Sequence, residues 1–292
     1  MGRNTETNNP DYAMSIAHFF LRIFRSLKLD MQWITTQNIP EKWKFLKTKY
    51  MLIAMPSLFW NNKINAFGIP GWGRTTYIAK PDRIENIQSI FIDHAHLQKI
   101  APKNGIVVDV GANIGEFALF AHTVLSPKKI YSFEPVPRSF ELLEENNNDF
   151  HFNGAICNEK KMLIHINEQS GMSSKFKLPS TIGTTVAMCK SLDDIPELQA
   201  LPTIDLLKID VEGMEHDVIA SSPTTVKKSK YLAVETALKR DASQDGLATL
   251  SLLKQLQPEL RLIYIGHIIT YADTGEQAAV DMVFKNISIK KI

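Results

Sequence analysis

Apolar and polar positions along the chain follow one pattern after residue 105 and another before it. After 105, short apolar runs alternate with stretches of helical spacing, the pattern of a parallel sheet covered by helices. The pattern predicts strands near 106–110, 129–133, 151–156, 161–167, 184–189, 205–209, 231–235, 261–267 and 279–285. It predicts helices near 115–125, 138–147, 213–220 and 243–256. Such alternation specifies an α/β fold with a doubly wound, mostly parallel sheet. The last two strands, joined at Asp273-Thr274-Gly275, read as a hairpin that closes the sheet with an antiparallel strand at its edge.

Before 105 the spacing is helical. Ile16, Phe19, Phe20, Ile23, Phe24 and Leu27 recur on one stripe over 14–28, with Arg22, Arg25 and Lys28 largely off it. A second helix over 41–55 mixes lysines with Trp43, Phe45, Leu46 and Tyr50. The simplest expectation is a helical cap packed on the core. The alternative is a basic amphipathic surface over residues 14–55, in peripheral contact with a membrane or an acidic partner. Gly68-Ile69-Pro70-Gly71-Trp72-Gly73 reads as a turn-rich stretch, followed by a strand over 75–79 and an amphipathic helix carrying Ile84, Ile87, Ile90 and Phe91. Three zones result: an N-terminal helical extension (1–60), a substrate-side lead-in (61–104) and a main domain (105–292).

Charge sharpens this division. The chain carries a net +2, but residues 1–60 hold eight basic side chains against four acidic ones, leaving 25 against 27 in the remainder. A main domain without basic excess speaks against nucleic acid as its partner. Cys157 and Cys189 show no metal or C-x-x-C spacing and are expected to be two structural thiols of a reducing compartment. With no secretory signal and no apolar window long enough to span a bilayer, the sequence reads as cytoplasmic, with the peripheral membrane option above.

The chemistry concentrates at strand ends. Val107-Val108-Asp109-Val110-Gly111-Ala112-Asn113-Ile114-Gly115 is a strand that runs into a glycine-rich turn and a helix. In such sheets, ligands bind at the carboxyl edge. A dinucleotide fingerprint offers bare N–H groups to a pyrophosphate. Asp109 would repel phosphate and suits a ligand with a cationic amino-acid head, such as S-adenosylmethionine (SAM). Gly111, Asn113 and Gly115 supply the turn around it. Their glycines are read either as plain turn residues or as sites of close ligand approach. Glu134 ends the next strand nineteen residues after Gly115, where a carboxylate grips a ribose diol. Asn158, after the third strand, is a candidate for the adenine amino group or an ordinary loop residue.

Asp109 to Gly115, Phe133-Glu134-Pro135 and Asp205-Leu206-Leu207-Lys208-Ile209-Asp210-Val211-Glu212-Gly213 together resemble the FkbM-type family of SAM-dependent methyltransferases. Ser170-Gly171-Met172-Ser173-Ser174 and Ser191-Leu192-Asp193-Asp194 look like further family features. The resemblance covers about 70–240. It implies a Rossmann-like class I methyltransferase fold, with SAM as donor and an acceptor hydroxyl on a sugar, glycan or secondary metabolite. Some similar proteins methylate side-chain amides of peptides, so a peptide acceptor and N-methylation stay open. Asn158 departs from the family, which more often has Asp there.

An alcohol needs its proton removed, so a base or a metal should stand near the acceptor. Asp210 and Glu212, two residues apart after the fourth strand, and Glu235, at the end of its neighbour, are the candidate catalytic acids. Either a carboxylate takes the proton directly, or Asp210 and Glu235 hold Mg²⁺ or another divalent cation. Asp210 or Glu212 as a helix N-cap is the structural alternative. His216 is a weaker candidate base, and Trp60, Trp72 and Tyr77 fall where an acceptor would be met. Two rivals remain: a SAM- or nucleotide-binding module without catalysis, and a nicotinamide dehydrogenase.

Overall fold

The computed structural model describes residues 16–36, 39–167, 173–174, 177, 181–237, 246–270 and 277–289. Seven strands form the central sheet: β1 (Ile106–Val110), β2 (Lys129–Glu134), β3 (Phe150–Asn153), β4 (Ile204–Ile209), β5 (Ser229–Ala237), β6 (Leu260–Thr270) and β7 (Gln277–Asn286). Their spatial order is β6-β7-β5-β4-β1-β2-β3. Only β7 runs against its neighbours, pairing antiparallel with both β5 and β6. The antiparallel strand is therefore second from the edge rather than at it. A tight hairpin can insert its return strand beside β5 without a crossover. The connecting turn at Asp273-Thr274-Gly275 lies outside the described residues, as do 170–172 of the serine-rich segment and 243–245 of the last helix.

Period-two alternation sorts the sheet's side chains into two cores. Val107, Ile130, Leu206, Ala233 and Val283 face one cluster, which also takes in Trp33, Phe45, Leu52, Phe67, Ile84 and Phe91 from the N-terminal third. Val108, Phe133, Leu207, Leu232 and Phe284 face the other. Helices α1 (Ile16–Thr35), α2 (Lys42–Ala54) and α3 (Ile84–Asp93) thus share a buried cluster with the sheet. On that side the helix after β1, α4 (Glu116–Phe120), extends into a π turn, Ala121–Leu125.

Two elements depart from expectation. Ala66–Gly71 is a strand paired with Arg74–Ile78, and the turn is confined to Trp72 and Gly73, both at positive φ (47° and 77°). Pro70 is tolerated because it lies beyond the stretch paired with Trp60–Asn61. The expected strand over 151–156 breaks at Gly154, where a Cβ would sit 2.4 Å from the Phe152 ring and 2.7 Å from the Met188 carbonyl. Beyond the break, Ala155–Ile156 joins a second sheet with Thr181–Lys190, Lys161–Asn167 and Ser173–Ser174, separate from the main one.

That second sheet also corrects the reading of the cysteines. Cys189 pairs in register with Ala155, and Cys157 follows two residues on, its N–H bonded to the Lys190 carbonyl. The two are joined in a disulfide, with Cα atoms 5.5 Å apart. Sequence separation hid a strand pairing. The expectation of a reducing compartment loses the support it drew from two separate thiols.

Candidate functional site

A cavity of about 370 Å³ opens at the carboxyl edge of the sheet, between the ends of β1, β2, β4 and β5 and helix α3. It is within the usual size range of small-molecule sites. Among the described residues its wall carries Glu116, Glu134, Asp210, Glu212, Glu215 and Glu235, against one cation, Lys208. Phe133, Pro135, Ala155 and Ile156 supply an apolar side.

The glycine turn is set first by the protein itself. At Gly111 (φ 83°) a Cβ would lie 1.7 Å from the Asp210 carbonyl oxygen, so the close approach there is by the β4 backbone. At Gly115 (φ 92°) a Cβ would meet Leu143 at 3.1 Å, on the helix α5 (Pro137–Asn146). Between them Asn113, itself at φ 48°, donates its backbone N–H to Glu134 Oε2 at 2.9 Å and its side-chain amide to Glu116 Oε1 at 3.2 Å. Glu134 Oε1 accepts from the Val136 N–H at 2.8 Å. Each carboxylate oxygen of Glu134 keeps acceptor capacity on the cavity side, as a diol would require. Burial, opposed by the two amide bonds, pushes Glu134 up to about 7. Burial likewise raises Glu116 to about 7.

Asp109 is fully buried and is not part of the cavity wall. It is the in-register neighbour of Lys208, whose Nζ stands 3.2 Å from Asp109 Oδ1 and 3.2 Å from Asp210 Oδ2. Burial opposes the ammonium charge of Lys208, but the two aspartates outweigh it and hold its proton affinity above the ordinary range. Asp109 Oδ2 is buried without a hydrogen-bond partner.

Positive φ at Glu212 (55°) and Gly213 (94°) delays the next helix, α6 (Glu215–Ser221), two residues past its expected start. Neither Asp210 nor Glu212 caps it. Its N-cap is Met214, with no side-chain cap, and the Gly213 N–H goes to Glu215 Oε1 at 2.7 Å. Both acids instead line the cavity, as does Glu235. Glu235 is pushed up to about 10, first by Asp210, then by burial, Glu212 and Asp281. Asp281 is its in-register neighbour on β7, raised to about 7, chiefly by burial.

Asn158 is exposed and outside the cavity wall. His216 on α6 is also outside it. Trp72 stacks on Phe91 at 4.8 Å and Trp60 packs edge-on to Phe67. The pre-core residues that reach the cavity are Asn86, Ser89 and Ile90 of α3. Three acids were not predicted: Glu116 was legible as an acid directly after the motif glycine, Glu215 as the acid two residues past Gly213, and Asp281 as the lone acid in an apolar strand. Among the described residues, no group of three or more His, Cys, Asp or Glu is arranged to hold a metal ion. Asp210 is already paired with Lys208, 3.2 Å away. The described residues thus show no donor set for the divalent cation expected of Asp210 and Glu235.

Strand order with a single reversed strand, a glycine turn after β1 and an acid closing β2 define a class I methyltransferase-type domain. The chain belongs to the FkbM methyltransferase family: the methyltransferase FkbM domain model matches residues 109–270, more than half of its length. Among curated relatives, methyltransferase sdnD of Sordaria araneosa is 26% identical over 45% of this chain and 66% of its own. The 2-O-methyltransferase NoeI of Sinorhizobium fredii is 24% identical over 54% and 73%. The hexuronic acid methyltransferase AglP of Haloferax volcanii is 26% identical over 46% and 57%. The chain thus spans about two thirds of the length of these relatives. The solved M. jannaschii TYW2 in complex with AdoMet overlaps 76% of this chain and 87% of that one at 15% identity and a TM-score of 0.44, too loose a likeness to carry weight.

Proposed function

We propose that this protein transfers a methyl group from SAM to a hydroxyl of a sugar or secondary-metabolite acceptor. The observation that carries the reading is the acid content of the cavity wall, six carboxyl side chains against one lysine among the described residues. These acids raise one another's proton affinity, a crowding that a cationic cofactor relieves and the phosphates of a dinucleotide would worsen. The residues fit SAM: Glu134 retains acceptor capacity for ribose hydroxyls, and Phe133, Ala155 and Ile156 offer an apolar bed. When bound, SAM supplies a methyl group already activated on a sulfonium. Two relatives, named as acting on a hexuronic acid and at a 2-O position, favour a sugar hydroxyl.

The chain's own work is then positioning and proton transfer. Holding an acceptor in line can supply about 7–11 kcal/mol of the barrier. Lys208 fixes the Asp210 carboxylate at the mouth. Asp210 and Glu235 both line the cavity, and a carboxyl group with raised proton affinity is the better proton acceptor from an alcohol once it is ionised. A cation in the cavity favours that ionisation. The oxygen–carbon bond forms as the carbon–sulfur bond breaks, and the hydroxyl proton passes to this carboxyl pair.

Calorimetry with SAM and with NAD tests the cofactor: SAM should bind and NAD should not. Incubation with methyl-labelled SAM and glycan or peptide extracts tests the transfer. Tighter binding of NAD than SAM would overturn the reading. SAM binding without label transfer to any extract would instead favour a non-catalytic module.

A further inference from the structure

We propose that the outward sides of α1 and α2 form a docking surface for an anionic lipid bilayer. One side of α1 is committed to the body of the protein: Ser26, Asp30 and Trp33 are buried, and Lys49 of α2 reaches Asp30 at 2.5 Å. The other side presents Leu27, Met31 (61% exposed) and Ile34, spaced four and three residues apart and therefore in one stripe. In the sequence the same spacing continues upstream through Phe24, Phe20 and Ile16. The second helix repeats the arrangement. Phe45, Leu52 and Ile53 pack inward, while Trp43 (69% exposed) and Met51, followed by Met55 and Leu58, meet solvent. Lys28 stands beside the first stripe and Lys47 between Trp43 and Met51, both exposed.

Single exposed apolar side chains need no explanation, but stripes on two adjacent elements do. Core packing does not account for them, because the inward sides already supply it. Charge selects the occupant. Residues 1–60 carry eight basic side chains against four acidic ones, an excess absent from the rest of the chain. A second copy docked on this surface would bring the same lysines together. Anionic headgroups complement them, and the tryptophan ring and lysine stems suit the boundary between headgroup and acyl chain. The helices lie on the bilayer rather than cross it: no described helix is long and apolar enough to span one.

Co-sedimentation of the full chain with vesicles tests this. One set is phosphatidylcholine alone, and another contains about one third phosphatidylglycerol, run at low salt and at roughly 0.5 M salt. The wild type should sediment with the anionic vesicles, not with the neutral ones, and less at high salt. Leu27→Glu/Met31→Glu/Ile34→Glu, all outward positions, should weaken partitioning about tenfold or more, and Lys28→Glu/Lys47→Glu should remove the preference for anionic lipid. Wild-type protein left in the supernatant, or either variant partitioning as wild type does, would overturn the proposal. So would light scattering that shows a dimer dissociated by the triple variant without any lipid preference, which assigns the surface to a second copy. Calorimetry with SAM on the same samples reads the methyl-donor site independently, so the two proposals fail separately.

Discussion

Among the described residues, two lysines are buried against aspartate, and their surroundings give them different work. Lys49, in the N-terminal helices, meets Asp30 at 2.5 Å and Gln88 at 2.8 Å; Gln88 and Tyr50 in turn donate to Asp30. That network is closed, with each acceptor used, and it pins α1 and α2 to α3. Lys208, in the sheet, sits between Asp109 and Asp210 but leaves Asp109 Oδ2 without a partner. It faces a cavity in which Glu116 and Glu134 are raised to about 7 and Glu235 to about 10. A buried ion pair is structural when its lone pairs are saturated. Left incomplete beside an opening, it tunes a site.

The comparison breaks most visibly when each cation is removed. Lys208→Met strands two aspartates and should lower unfolding free energy by about 3–5 kcal/mol, with SAM affinity lost as well. Lys49→Met should cost a similar amount, about 3–5 kcal/mol, yet leave SAM affinity of the folded protein unchanged. Denaturant unfolding and calorimetry read both, and SAM binding lost equally in the two variants would erase the distinction. Next in size, Asp210→Ala should reduce turnover by about 10²-fold or more while SAM affinity stays within a few-fold. Undiminished methyl transfer would remove Asp210 from the mechanism. Glu134→Gln should weaken SAM binding by about tenfold, the loss of charge-assisted bonds to a diol, with a smaller effect on stability.

The smallest expected effect is on pH dependence. Glu116, Glu134 and Asp281 lie near 7 and Glu235 near 10, above ordinary values of 4.5 for Glu and 3.8 for Asp. The folded state therefore holds protons that the unfolded chain releases. Stability should fall as pH rises from the ordinary carboxylate range through 7 towards 10. The thermal midpoint should drop between about pH 5 and pH 9, and should drop less in Glu235→Gln. A flat profile would show that these acids are not crowded as described.

Much of this was legible in the chain. Short apolar runs with Asp109, Glu134, Asp210 and Glu235 at or near their ends marked the strands and put acids at the sheet edge, because side-chain period and strand length are local properties. Placement of β7 between β5 and β6 was not legible, nor was Asp281 beside Glu235, since registry between distant strands depends on what each can pair with. The disulfide was missed for the same reason: Cys157 and Cys189 meet only through a strand pairing thirty-two residues apart. The motif glycines were visible, but their cause was not; at Gly111 it is a carbonyl from another strand.

By itself the sequence determined the alternation of strand and helix, the acids at the strand ends and the basic excess of residues 1–60. Each follows from neighbours in the chain and from side-chain chemistry. Only the tertiary structure decided which acids share a cavity, which lysine is saturated and which is not, and which helix sides remain uncovered. Those depend on burial and pairing between segments that no local pattern brings together.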